Sequence, residues 1–159
     1  MDGLFRAINI QNEQIQNVAL EALSEVPALA YSFMPDYIMQ VGEITSNFIN
    51  AKALVQSRQI MLFWTNICQE EKERLKTNQS NNIVTQYKDS LLQIIFQGLC
   101  LTEFDDDMVD TEDSVDDIIY TVSRASAHLL LEVASILQDQ VLALTLQFAS
   151  SKLNDGSSW

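Results

Sequence analysis

The chain has 159 residues, which suits one compact domain, and 47% are hydrophobic, enough to bury an ordinary core and to exclude disorder throughout. Its formal net charge is −13, and nine of its 22 acidic residues lie in segment 103–117, which has no basic residue. The other 13 acids only mildly exceed the nine basic residues. The negative electrostatic field that follows from a net charge of −13 opposes binding to nucleic acids and anionic membranes and favours basic partners.

No apolar run approaches the roughly 18 residues of a membrane span, and polar residues interrupt the start, where a signal peptide would be apolar. We therefore expect no membrane insertion. Cys68 and Cys100 lie within apolar helical patterns and lack the spacing of a CxxC pair. We expect both to be buried cytosolic thiols.

Apolar residues recur at helical spacing, and only four glycines and two prolines interrupt the pattern. The first helix carries Leu4, Phe5 and Ile8 on one face. Asn12 is placed to cap the second helix, whose apolar stripe continues to Val26. The pattern thus predicts two short-linked helices at the start of the chain.

Pro35 stands where the first turn of a third helix tolerates proline. A fourth helix is predicted from Leu54 to the region 70–73, with Trp64 in the core rather than in a ligand site. The fifth begins at Tyr87 and ends at the acidic segment. A sixth resumes at Ile118, and a seventh spans the last apolar stripe, residues 141–153.

These seven helices form antiparallel pairs, and second helices recur about every 40 residues, which is typical of HEAT-repeat arrays. We therefore predict an all-α fold, a HEAT-repeat superhelix that is a solenoid of antiparallel helix pairs. The predicted repeats are 1–32, with a truncated first helix, 34–76, 83–138 with the acidic loop 103–117, and the first helix of a further repeat at 139–159. We expect neighbouring repeats of a longer chain to cover both ends. An independent antiparallel helix bundle has the same periodicity and is the structural alternative.

Several strings resemble a known family. LFWTNICQEE at Leu62–Glu71 resembles the aromatic-Trp-Ser/Thr-Asn-apolar-Cys-acidic string that ends a second helix in importin-β. Next come the helix QYKDSLLQIIFQGLC, an acidic loop, and a helix that begins aromatic-x-x-x-basic-Ala at Tyr120–Ala125, in the same order as in importin-β. The closing NDGSSW is similar to the Asn/Asp-rich turn that ends in Trp there. Over nearly its whole length the chain looks like the acidic-loop region of importin-β-type nuclear transport receptors.

The resemblance implies a receptor that shuttles between cytoplasm and nucleus and binds importin-α or basic cargo segments, Ran-GTP and FG nucleoporins. It assigns adaptor and Ran binding to the acidic loop. The implied contact residues there are Asp105, Asp106, Asp107, Asp110, Glu112, Asp113, Asp116, Asp117 and Tyr120. Tyr120 stands where importin-β has a tryptophan that stacks on basic side chains, and it still offers a cation–π face.

Two further sets of contacts follow from the resemblance. Leu62 and Gln69 stand where the family has acidic adaptor contacts. Either Glu70 and Glu71 substitute for them, or the adaptor site has moved. Nucleoporins are expected to bind exposed apolar residues of the first helices. These are Leu4, Phe5, Ile44 and Phe48.

Other functions find little support in the residues. No nucleophile elbow, phosphate-binding glycine loop, zinc pattern or His/Cys pair is present, so we expect no enzyme, cofactor or metal site. An EF-hand is disfavoured because Asp110 replaces the essential glycine and Asp116 replaces the bidentate glutamate. His128, among leucines and with no titrating neighbour expected, is interpreted as a surface or packed residue. The functional alternative is a HEAT-repeat scaffold or regulatory subunit unrelated to transport.

Overall fold

The computed structural model describes residues 1–101 and 121–154, and these residues are all-α, without a strand. This confirms the all-α part of the predicted fold class, and the HEAT-repeat superhelix stays a prediction. The helices are α1 (Asp2–Ile8), α2 (Glu13–Ala30), α3 (Ile38–Asn50), α4 (Leu54–Lys76), α5 (Ile83–Gln86), α6 (Lys88–Leu99), α7 (Val122–Leu137) and α8 (Asp139–Asn154). A 3₁₀ helix, Tyr31–Asp36, lies between α2 and α3.

The helices pack in two layers. The first layer contains α2, α4 and α7, with α4 in the middle, packed against both neighbours. The second layer contains α1, α3, α6 and α8, where α3 packs against α6 and the rings of Phe96 in α6 and Phe148 in α8 stack 4.2 Å apart. In the same layer the rings of Phe5 in α1 and Tyr37 before α3 lie 6.0 Å apart. Each helix of the first layer therefore packs against the second-layer helix that precedes it in the chain: α1 with α2, α3 with α4 and α6 with α7.

Helix α4 is the centre of the core because helices cover it on several sides. Ile60, Phe63 and Cys68 are fully buried, and Trp64 is 3% exposed. Burial of one such side chain contributes about 1.5–3 kcal/mol relative to exposure. Trp64 Nε1 also donates a hydrogen bond to Thr45 Oγ1 at 3.0 Å, which joins the layers. The predicted burial of Trp64 and Cys68 is confirmed.

Two local predictions have different outcomes. Asn12 caps α2 as predicted, since its Oδ1 accepts a hydrogen bond from Ile15 N–H at 3.1 Å. The position of Pro35 was wrong: it lies in the 3₁₀ helix, and α3 begins only at Ile38. Proline is compatible with both places because its fixed φ suits the first turn of either kind of helix.

The predicted fifth helix corresponds to α6, but a short helix, α5, which was not predicted, precedes it. Asn82 adopts a left-handed φ of 53° and starts the short helix α5, and Tyr87 then separates α5 from α6. The described residues thus form eight α-helices rather than the seven predicted for the whole chain. The assignment of helix pairs to repeats stays a prediction.

Candidate functional site

The predicted acidic-loop site lies outside the described residues. This applies to Asp105, Asp106, Asp107, Asp110, Glu112, Asp113, Asp116, Asp117 and Tyr120. The described chain leaves the second layer after α6 at Leu101 and re-enters the first layer at Thr121. Thr121 caps α7, since its Oγ1 accepts a hydrogen bond from Arg124 N–H at 3.2 Å. The segment with the highest density of acids therefore connects the two layers.

Glu70 and Glu71, the expected substitute adaptor contacts, have different environments. The Glu70 side chain is 29% exposed and lies 3.7 Å from Arg74 Nε. Glu71 is fully buried, and its Oε2 accepts hydrogen bonds from Tyr31 OH at 3.0 Å and from Val84 N–H at 3.1 Å. The expectation that Glu71 contacts an adaptor is wrong for this conformation, because no partner can reach its carboxylate.

Glu71 instead belongs to a buried polar cluster that ties α4 to the chain on both sides. Tyr31 OH also accepts a hydrogen bond from Asn81 N–H at 3.3 Å, and the Arg74 guanidinium lies 4.9 Å from the centre of the Tyr31 ring. Glu71 Oε1 has no hydrogen-bond partner among the described residues. The cluster anchors the turn before α5 to the 3₁₀ helix.

Burial controls ionisation in this cluster. Burial raises the pKa of the Glu71 carboxyl above its usual range, and the hydrogen bonds from Val84 and Tyr31 only partly oppose that shift. Burial likewise raises the pKa of Tyr31 to about 12. It also raises the pKa of the Cys68 thiol, which is therefore a poor nucleophile. Each of these shifts favours the neutral form of the group.

Cys100 contradicts its predicted burial, because the structure places it at the exposed end of α6. The apolar pattern of α6 predicted a buried stripe, and Cys100 follows the last residue of that helix. His128 lies on the surface of α7, and its side chain is 47% exposed. This is the first of the two environments expected for it, a surface or a packed residue. Its Nε2 is 3.7 Å from Glu132 Oε1, so the expectation of no titrating neighbour was wrong.

The exposed face of the first layer is a mixed surface of carboxylates and apolar side chains. Its exposed residues include Glu21, Glu25, Leu29, Leu62, Gln69, Glu73 and Leu131. Several carboxylates are already paired: Glu73 lies 2.6 Å from Lys76 Nζ, and Glu132 pairs with Lys72. Glu21 and Glu25 form no ion pair with a described residue. Only part of this face is therefore available to a basic partner.

The predicted nucleoporin contacts do not form one exposed surface. Phe5 is 3% exposed and Ile44 7% exposed, so their expected exposure is wrong. Phe48 is half-buried against the core, and Leu4 lines a groove of about 410 Å³ between α1 and α2. Both faces of these helices are apolar because each helix contacts two neighbours, and periodicity cannot say which face is covered.

Two larger grooves in the second layer were not predicted from the sequence. A groove of about 580 Å³ lies between α3 and α6, and Met39 and Ile94 are among its lining residues. A groove of about 670 Å³ lies between the end of α3, α6 and α8. Met39 is 70% exposed and lies beside the buried stripe that contains Ile38 and Val41. An apolar residue outside the buried stripe of its helix was the sequence feature that could have indicated this groove.

The described residues contain no group of three or more His, Cys, Asp or Glu side chains suited to a metal ion. None of the described helices is long and apolar enough to cross a membrane. No protein-family model matches the sequence, and no curated protein is significantly similar to it.

Proposed function

We propose that this chain is a HEAT-repeat segment of an importin-β-type nuclear transport receptor. On this proposal it binds basic segments of importin-α or cargo, Ran-GTP and FG nucleoporins, and it shuttles between cytoplasm and nucleus. The observation that carries the proposal is the layered packing of three consecutive pairs, α1/α2, α3/α4 and α6/α7, with α4 between α2 and α7. This is the packing expected of a solenoid in which neighbouring pairs share a core.

Charge supports a basic partner. Segment 103–117 contributes nine carboxylates and no basic side chain, and it connects α6 of the second layer to α7 of the first. Together with Glu21 and Glu25 it would attract Lys/Arg-rich segments from a distance, and the attraction would weaken with salt because the Debye length is only about 8 Å at physiological ionic strength. Exposed Leu29, Leu62 and Leu131 could bury the apolar parts of the same partner.

The α3–α6 groove of the second layer supports nucleoporin binding. The α3–α6 groove combines the exposed side chain of Met39 with Ile94 and Tyr87, and a phenylalanine ring can be buried among such side chains. The proposed nucleoporin site is therefore this groove and not the predicted contacts Phe5 and Ile44, which are buried.

Fluorescence anisotropy of a labelled Lys/Arg-rich importin-α peptide tests the proposal. The chain is compared, at low and at physiological salt, with a variant in which the eight carboxylates from Asp105 to Asp117 are changed to amides. We expect binding that weakens with salt and that falls at least about tenfold in the variant, which corresponds to about 1.4 kcal/mol.

A variant with Glu43→Gln and Asp89→Asn is the control, because these carboxylates line the grooves of the second layer. It should bind the peptide as the parent chain does. If the parent chain does not bind the peptide, or if the acidic-segment variant binds equally well, a scaffold without a transport function becomes the better proposal.

A further inference from the structure

The groove between the end of α3, α6 and α8 has a fixed apolar floor. The rings of Phe96 and Phe148 stack 4.2 Å apart with an interplanar angle of 6°, and both rings are half-buried. Lys88 Nζ donates a hydrogen bond to Gln140 Oε1 at 3.1 Å, which also links α6 to α8. The floor can therefore bury an aromatic or aliphatic group without first being assembled.

Primary amides also line this groove. Four exposed side chains line the groove and form no side-chain hydrogen bond with a described residue. They are Asn50, Gln93, Gln97 and Gln147. Each amide both donates and accepts hydrogen bonds, which matches the alternating N–H and C=O groups of an extended peptide backbone. An open groove lined by apolar rings and primary amides fits a peptide better than a compact small molecule.

The charges of this groove differ from those of the rest of the chain. Two lysines, Lys52 and Lys152, line it together with one carboxylate, Asp89, although the whole chain has a net charge of −13. Neither lysine forms an ion pair with a described residue, and Lys152 Nζ lies 5.9 Å from the centre of the Phe148 ring. One ammonium group is thus held beside the aromatic floor.

The neighbouring α3–α6 groove has the opposite charge. Glu43 is the only charged residue among the described residues that line it. A ligand with a carboxylate beside its apolar group should therefore prefer the α6–α8 groove by charge alone.

We propose that the α6–α8 groove binds an extended acidic peptide that places an apolar side chain on the Phe96–Phe148 pair and a carboxylate next to Lys52 or Lys152. The amides that line the groove hold the peptide backbone. This site is separate from the basic-partner site of the proposed function and does not depend on it.

The test uses the full chain and three labelled peptides: an acidic peptide with one central phenylalanine, the same peptide with amides in place of its carboxylates, and the same peptide with alanine in place of phenylalanine. We expect the alanine peptide to bind about tenfold more weakly than the acidic phenylalanine peptide. The amide peptide should bind about fivefold more weakly, since exposed ion pairs each contribute a modest amount.

Variants then locate the site. The double variant Lys52→Gln with Lys152→Gln should weaken the acidic peptide about fivefold but leave the amide peptide unchanged. Lys76→Gln is the matched control, because Lys76 lies at the end of α4 and does not line the groove. It should not change binding of either peptide.

Cys100 gives an independent measure of location, because it is exposed and lines the groove, whereas Cys68 is buried. The acidic peptide should slow alkylation of Cys100 in proportion to occupancy. The proposal is overturned if the acidic peptide does not bind, if the amide peptide binds equally well, or if Cys100 is not protected. It is also overturned if Cys100 becomes protected with rising protein concentration alone, since a second copy of the chain would then be the occupant.

Discussion

Gly98 of α6 lies directly against Ser126 of α7, and its replacement tests how tightly the two layers are packed. A methyl group added at Gly98 would overlap Ser126 Oγ and would lie 3.1 Å from Met61 Cε and 3.2 Å from Ser126 Cβ. Rotation of the Ser126 side chain could move Oγ away from the added methyl group, but it would leave Ser126 Cβ in place. The helices would have to separate slightly.

Two effects of Gly98→Ala oppose each other. Alanine improves the intrinsic preference for helix by up to about 1 kcal/mol. Overpacking in a well-filled interior costs typically about 1–3 kcal/mol. Because two of the three neighbouring atoms belong to a buried residue on another helix, we expect overpacking to dominate, with a net loss of about 1–2 kcal/mol in the free energy of unfolding.

Gly42→Ala is a matched control, since Gly42 lies inside α3 and a methyl group there has no neighbour within 4 Å. Urea unfolding followed by circular dichroism should show Gly42→Ala neutral or stabilised and Gly98→Ala destabilised. The double variant Gly98→Ala with Ser126→Gly should be at least about 1 kcal/mol more stable than the sum of the two single-variant effects predicts. Equal stability of the two alanine variants, or strict additivity in the double variant, would refute the packing argument.

Three other predictions concern single side chains. The raised pKa of Glu71 means that its favourable contribution to stability is complete below the ordinary carboxyl pKa and is lost as pH rises through the folded-state pKa. The stability of Glu71→Gln relative to the parent chain should therefore increase over that interval; urea titrations at several pH values check this, and a constant difference would contradict it. Trp64→Phe should cost about 1–3 kcal/mol because it removes the hydrogen bond to Thr45 and leaves unfilled volume, and a loss below about 0.5 kcal/mol in thermal unfolding would contradict this. Asn12→Ala should cost about 1 kcal/mol through loss of the α2 cap, measured by urea unfolding, whereas an unchanged midpoint would show that the cap does not contribute.

The helical class and much of the helix content could be predicted because they depend on local patterns. Apolar spacing and scarce glycine and proline predict helices, and the Asn12 cap needs only its own side chain and the next turn. Trp64 and Cys68 were predicted to be buried because α4 is apolar on the sides that face its neighbours. These predictions required no knowledge of which helix contacts which.

Which apolar or acidic side chains are accessible was decided only by tertiary structure. Helices of a layered fold are apolar on more than one face, so the sequence could not distinguish buried Phe5 from exposed Met39. Glu71 follows an acidic residue and precedes a basic one, which is typical of a solvated surface, yet Tyr31, about 40 residues earlier in the chain, covers it. The groove on Phe96 and Phe148 likewise exists only because α8 packs beside α6. Periodicity determines the faces of each helix, and long-range packing determines which face meets a neighbour and which meets solvent.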